Sequence, residues 1–138
     1  MKVREILQYD DTMKNLIDNT SMDAKIKFRF LNMRKQFEPI VQNFQQMREE
    51  ILQKHSEQRD DGTMGIFAPE RDKFESDKDF DEAVKKFQES VESFNKEIEP
   101  ILDDDAKIES LTKLKAEDIM NAGIPSDALL AMYDLIEE

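Results

Sequence analysis

A mainly α fold built on a long antiparallel two-helix hairpin of coiled-coil character is predicted by three features of the 138-residue chain. Two apolar seams run at alternating steps of four and three residues, one from Ile26 to Ile51 and one from Phe80 to Ile101. A turn-rich stretch separates them. Three glycines and four prolines are too few to punctuate a sheet protein, and the charged, helix-forming composition favours long helices. A short N-terminal helix and a C-terminal extended segment with a short helix complete a single domain over 1–138.

The elements follow in order. Val3, Ile6, Leu7, Met13, Leu16 and Ile17 give residues 1–19 one apolar face, which predicts an amphipathic helix ending near Asn19. Thr20 or Ser21 offers the next N-cap, with Asp23 favourable in the first turn. The first hairpin arm, 21–58, carries the seam Ile26, Phe30, Met33, Phe37, Ile40, Phe44, Met47 and Ile51. Pro39 inside it predicts a kink rather than a break. Asp60, Asp61 and Gly62 read as a turn, and Pro69 blocks helix continuation. The second arm, 77–100, carries Phe80, Val84, Phe87, Val91, Phe94 and Ile98, with Ile101 continuing the seam just past it, and Pro100 is expected to end the helix. Over 101–138 an acidic loop leads to an alternating segment, Ala106, Ile108, Ser110, Thr112 and Leu114, read as extended. A helical turn from Ala116 to Asn121 is closed by Gly123. A last helix from Pro125 and Ser126 sets Leu129, Met132, Tyr133 and Ile136 on one face. Glu137 and Glu138 lie at its unfavourable end, so docking must hold it.

Folding the seams back on one another predicts a register that sets Ile51 on Val84, Met47 on Phe87 and Phe44 on Val91. It continues with Ile40 on Phe94, Phe37 on Ile98 and Met33 on Ile101. The same alignment brings the basic cluster Lys25, Lys27, Arg29, Arg34 and Lys35 beside Glu97, Glu99 and Asp103–Asp105. Exposed pairs of this kind contribute about 0–1 kcal/mol each, so they select an alignment more than they stabilise it.

Charge bounds the partners. The chain has 32 acids against 20 bases, a net charge of −12. Residues 1–58 are near balance, while residues 59–138 carry 23 acids and ten bases. That excess repels nucleic-acid phosphate and anionic membranes and points to other proteins as partners. No stretch approaches the ~20 apolar residues of a membrane span. Without cysteine there is no disulfide or thiolate site, which fits the cytoplasm.

No pattern of catalysis or cofactor binding is found. His55 is the single histidine, read as a solvated side chain at a helix end, and Leu52 three residues before it rules out an ExxH ligand pair. Counting a calcium loop from Asp103 puts Ile108 and Leu114 where glycine and glutamate are needed. There is no glycine-rich phosphate loop and no nucleophile elbow. The expectation is a non-enzymatic protein with no metal and no cofactor.

Some apolar residues lie off the seams. Phe28, Leu31, Val41, Leu52 and Leu102 are expected to join the core against the first and last helices, or to meet another subunit in a homo-oligomer. Met64, Ile66 and Phe67 sit in the loop at the far end of the hairpin, where an apolar cluster marks a candidate partner contact. Leu129, Met132 and Tyr133 on the last helix are a second candidate.

With this layout in place, the chain resembles a family of small phage-encoded proteins of unknown function. The resemblance runs over most of the length and is carried by KVREILQYDDTMKNLIDN at the start, NFQQMREEILQKHSEQRDDG in the long helix and IPSDALLAMYDLIEE at the end. The phenylalanine-rich seam and Pro39 are this chain's own. The resemblance implies a phage origin and a non-enzymatic role. The expected function is a structural or assembly protein in the host cytoplasm or the virion, contacting virion or assembly components. The alternative is an acidic inhibitor that fills the nucleic-acid-binding groove of a basic host protein.

Overall fold

A computed structural model describes every residue except Thr20, Glu109, Ser110, Asn121 and Glu138. The chain is mainly helical: α1 (Val3–Asn19), α2 (Ala24–Lys54), α3 (Asp77–Leu102), α4 (Ala116–Met120) and α5 (Ser126–Ala131). Four two-residue strands accompany them, β1 (Glu57–Gln58), β2 (Met64–Gly65), β3 (Leu114–Lys115) and β4 (Ile136–Glu137), with 3-10 turns at Arg71–Lys73 and Tyr133–Leu135. The residues fall into two compact units, one of Met1–Asn43 with Asp103–Glu138 and one of Phe44–Leu102.

The first unit has a dense apolar core. Ile6, Tyr9, Met13 and Leu16 line one face of α1, and Ile26, Phe30, Met33 and Phe37 line one face of α2. Leu114, Ile119, Ala122, Met132 and Leu135 close it from the C-terminal segment. The first half of the α2 seam is thus buried with α1 and the tail, partners that its spacing alone does not name. At roughly 1.5–3 kcal/mol per fully buried large side chain, this set dominates the unit's stability. The backbone ties its ends together: Val3 N–H donates to Asp104 (3.0 Å) and Ala106 N–H to Met1 (2.8 Å). Residues Lys2 and Asp105 form an antiparallel bridge.

Local chemistry accounts for the helix ends. The Asp23 carbonyl accepts from Lys27 N–H (3.0 Å), so Asp23 rather than Ser21 stands at the entry to α2. The other candidate cap, Thr20, lies outside the described residues. α2 is continuous through Pro39. Gly123 takes a positive φ of 70° just after α4, the left-handed conformation that a helix C-terminus uses. The expected end of that turn, Asn121, is outside the described residues.

Several expectations are corrected in this unit. The basic cluster does not meet Asp103–Asp105. Arg29 (2.8 Å) and Lys25 (3.6 Å) share Asp118 on α4, and Arg34 holds Asp10 on α1 (2.9 Å). Asp103 instead takes Arg4 at 3.0 Å. The acidic run is bound by the N-terminal segment because the Lys2–Asp105 bridge puts it there. Of the predicted extended segment, only Leu114–Lys115 forms a strand; the alternation at Glu109 and Ser110 lies outside the described residues. β3 pairs in parallel with β4, Leu114 opposite Ile136. The last helix stops at Ala131 and the chain continues as a 3-10 turn into β4, so Ile136 and Glu137 are strand and not helix. Glu138 is outside the described residues. That break turns Leu135, not Ile136, into the buried position.

In the second unit, Ser76 caps α3: its Oγ accepts from Asp79 N–H at 3.2 Å and its carbonyl from Phe80 N–H. Pro100 does not end α3, which runs two residues further; a proline in the last turn forfeits a single backbone bond. Ile51 and Ile98 are buried, while Phe80, Val84, Phe87, Val91 and Phe94 are half-buried and Met47 is exposed. The register differs from the predicted one. Arg48 lies over Phe94, 5.7 Å from the ring centre, where the predicted alignment puts Phe87 beside residue 48. Lys54 holds Glu97 at 2.7 Å rather than facing Asp81. The two contacts depart from the predicted partners by different amounts, seven residues from Phe87 to Phe94 and sixteen from Asp81 to Glu97, so they define no single alternative register; four-three spacing selects a face and not an offset.

Candidate interaction surfaces

The second unit presents a groove of about 470 Å³ where α2 ends. Its geometry begins with the last turn of α2, tightened by His55 N–H to Leu52 (3.2 Å) and Ser56 N–H to Gln53 (3.3 Å). The chain then enters the β1–β2 hairpin, with Glu57 opposite Gly65 and Gln58 opposite Met64. Asp60–Gly62 make the turn as expected. Gly62 has φ 86°, Arg59 N–H donates to the Thr63 carbonyl, and the Asp61 carboxylate accepts from Thr63 N–H (3.0 Å) and from its hydroxyl. Those last two bonds, the hydroxyl first, hold the Asp61 carboxyl below its ordinary range. Beyond Pro69, Arg71 grips Asp77 (Nε at 3.1 Å) and the Phe74 carbonyl (2.8 Å), and Phe74 meets Phe80 edge-on at 5.8 Å.

The groove is lined by apolar Ile66, Phe67, Pro69, Phe74 and Phe87 and by charges of both signs, Arg59, Lys73 and Lys86 with Glu57 and Glu70. The Arg59 guanidinium stacks on Phe67, 3.6 Å from the ring centre. The Phe67 ring also packs against Gly65, 3.0 Å from where a Cβ would stand, so any larger residue at 65 would displace it. Lys73 is paired with Glu70 (3.2 Å). Lys86 is exposed and, among the described residues, unpaired.

His55 is not the solvated side chain expected. Its Nε2 meets the Glu97 carboxylate, which Lys54 also binds, and its side chain is about four-fifths covered. Lys54 first, and His55 second, hold the Glu97 carboxyl below the usual range. The Ser56 hydroxyl donates to the Leu52 carbonyl, so the one hydroxyl adjacent in sequence to His55 is engaged with backbone. Among the described residues no group of three or more acidic or histidine side chains is placed to hold a metal ion, and no helix is long and apolar enough to cross a membrane.

The candidate contacts divide. Ile66 and Phe67 line the groove, and Met64 is 50% exposed beside it on β2. Met132 is 1% exposed and belongs to the core of the first unit, so it is corrected from a contact to a packing residue. Leu129 packs against that core. Tyr133 is 61% exposed, as is its neighbour Leu130 at 76%. Phe28 (63%) and Leu31 (45%) are also exposed, so of the two places expected for them they do not take the core; Val41 does pack on it. Sequence reasoning missed Arg59, Lys86 and Leu130. Arg59 carries a signal in retrospect, since a DDG turn folds the residues before it back towards those after it. Comparison with known protein families, curated proteins and solved structures finds no match to the chain.

Proposed function

We propose that this chain is a non-enzymatic structural or assembly protein of a phage, acting through contacts with other proteins in the host cytoplasm or the virion. One observation carries the protein-contact part. Ile66 and Phe67 are not folded into a core but line an open groove with charged groups around it, and Met64 stands exposed next to them. Exposed apolar surface rimmed by polar groups is what protein interfaces use, and the Arg59–Phe67 stack pre-sets a residue pair of the kind that anchors them. In this reading the end of α2 and α3 form a helical hairpin that displays the groove. The phage setting rests on the resemblance of the three sequence segments quoted above. The test is co-sedimentation of the tagged protein with particles, or with a head or tail protein, from infected cells. Wild type should co-sediment and an Ile66→Ser/Phe67→Ser variant should not. Recovery of wild type only as free protein would overturn the assembly role.

A further inference from the structure

The first unit carries two exposed apolar patches, one flanked by lysines and one with several acids close in sequence. On α2, Ala24, Phe28, Leu31 and Lys35 follow at steps of four, three and four, on the side of the helix opposite Ile26, Phe30, Met33 and Phe37. Phe28 and Leu31 are exposed, and the flanking Lys27 and Lys35 are exposed and unpaired among the described residues. The other cations of the cluster are committed, Lys25 and Arg29 to Asp118 and Arg34 to Asp10. This face is therefore apolar with free positive charge at its edges. The second patch lies on α5 and the turn after it. Leu130 is 76% and Tyr133 61% exposed, and Asp127, Asp134 and Glu137 are exposed acids close to them in sequence; Lys113 shares a hollow with Tyr133, Asp134 and Glu137. Asp127 accepts from the N–H of its own neighbour, Ala128, at 2.9 Å.

We propose that these patches are two halves of one self-association contact: the Phe28–Leu31 face of one copy receives the Leu130–Tyr133 face of a second copy. Aliphatic and aromatic side chains meet at the centre, while Lys27 and Lys35 face Asp127 and Glu137 at the rim. The contact joins two different surfaces, so it is made twice across the axis of a two-fold dimer or, in head-to-tail form, once per neighbour in a ring or chain. Short-range complementarity selects this occupant over nucleic acid. The net charge of −12 opposes a phosphate backbone and a second copy alike at long range and is screened by salt; at short range a second copy also offers apolar Leu130 and Tyr133 for Phe28 and Leu31, which a phosphate backbone does not. The proposal goes beyond the assembly role above and does not depend on it.

The experiment is sedimentation equilibrium of the full chain over a wide concentration range. Wild type should rise in mean mass above the monomer with concentration. Phe28→Asp and Leu130→Asp should each weaken association about tenfold or more, by placing a charge in the apolar centre. Both positions are exposed, so circular dichroism of the variants should match wild type. Mixing the two variants supplies the decisive reading. Each retains the face the other has lost, so the mixture should associate one-to-one while neither variant does alone. Lys35→Glu mixed with Asp127→Lys should behave in the same way. A wild type that stays monomeric at every concentration overturns the proposal, as does an association that the mixture of variants fails to restore.

Discussion

Tyr9 is the residue whose surroundings disturb its acidity most. It is buried on α1, and its hydroxyl donates to Asp134 at 3.4 Å. Burial, then the negative charge of Asp134 and Glu5, pushes its pKa up from 10.0 to about 12. A raised phenol pKa means that the folded state favours the neutral form. Its stabilising contribution is complete below pH 10 and is lost as pH rises towards 12. The loss should reach on the order of 2 kcal/mol, and Tyr9→Phe should remove it, as denaturant unfolding at about pH 9 and about pH 11.5 would show. Glu97 works in the opposite sense. Lys54 and His55 hold its pKa down, so its contribution is present above the ordinary carboxylate range and disappears as pH falls through the lowered value. Unfolding titrations should show a shallower acid limb for Glu97→Gln than for wild type. Neither contact was legible in the sequence. Asp134 is 125 residues from Tyr9 and Glu97 is 42 from His55, and a lone histidine carries no local sign of a distant carboxylate. By contrast the Asp60–Gly62 turn was legible, because a left-handed glycine and an Asp61 side-chain bond are local events.

At the scale of elements, α2 separates what periodicity states from what it leaves open. Over the first half of α2 its four-three spacing names the buried face, since Ile26, Phe30, Met33 and Phe37 are all buried, whereas Met47 further along the same seam is exposed. It cannot say which element covers that face. Along the first half of α2 the cover comes from α1 and the C-terminal segment, and in the second unit Arg48 and Lys54 meet Phe94 and Glu97 rather than the partners that spacing alone suggests. The same helix offers a controlled comparison of two phenylalanines two positions apart. Phe30→Ala empties a fully buried site and should cost about 3–5 kcal/mol. Phe28→Ala removes an exposed ring and should stay within about 0.5 kcal/mol in dilute monomeric protein. Urea unfolding of the two variants side by side would check both values, and equal costs would mean that the faces of α2 are misassigned. The final helix failed for a different reason. Its apolar positions suit a helix continued to Ile136, but parallel pairing of Ile136–Glu137 with Leu114–Lys115 satisfies the same backbone groups and buries Leu135.

Over the whole molecule, chain order and compactness disagree: residues 44–102 form a unit inserted between the two sequence segments that build the other. The core of the first unit therefore closes only when the last 36 residues reach the first 43, through Leu114, Ile119, Ala122, Met132 and Leu135. Contacts so distant in sequence are entropically costly to assemble and leave the early helices dependent on the tail. Ending the chain after Ala131 deletes Met132 and Leu135, both essentially inaccessible to solvent, together with β4. Two such side chains are worth on the order of 2–5 kcal/mol each, comparable to the whole margin of about 5–15 kcal/mol of a small protein. The truncated chain should lose amide-exchange protection along α1 and the first half of α2, far from the deletion in sequence. Protection along α3, whose unit keeps all of its residues, should fall less. Uniform loss over α1 and α3 would mean that the molecule opens as one cooperative body, and unchanged protection in α1 would mean that its helix needs no cover from the tail.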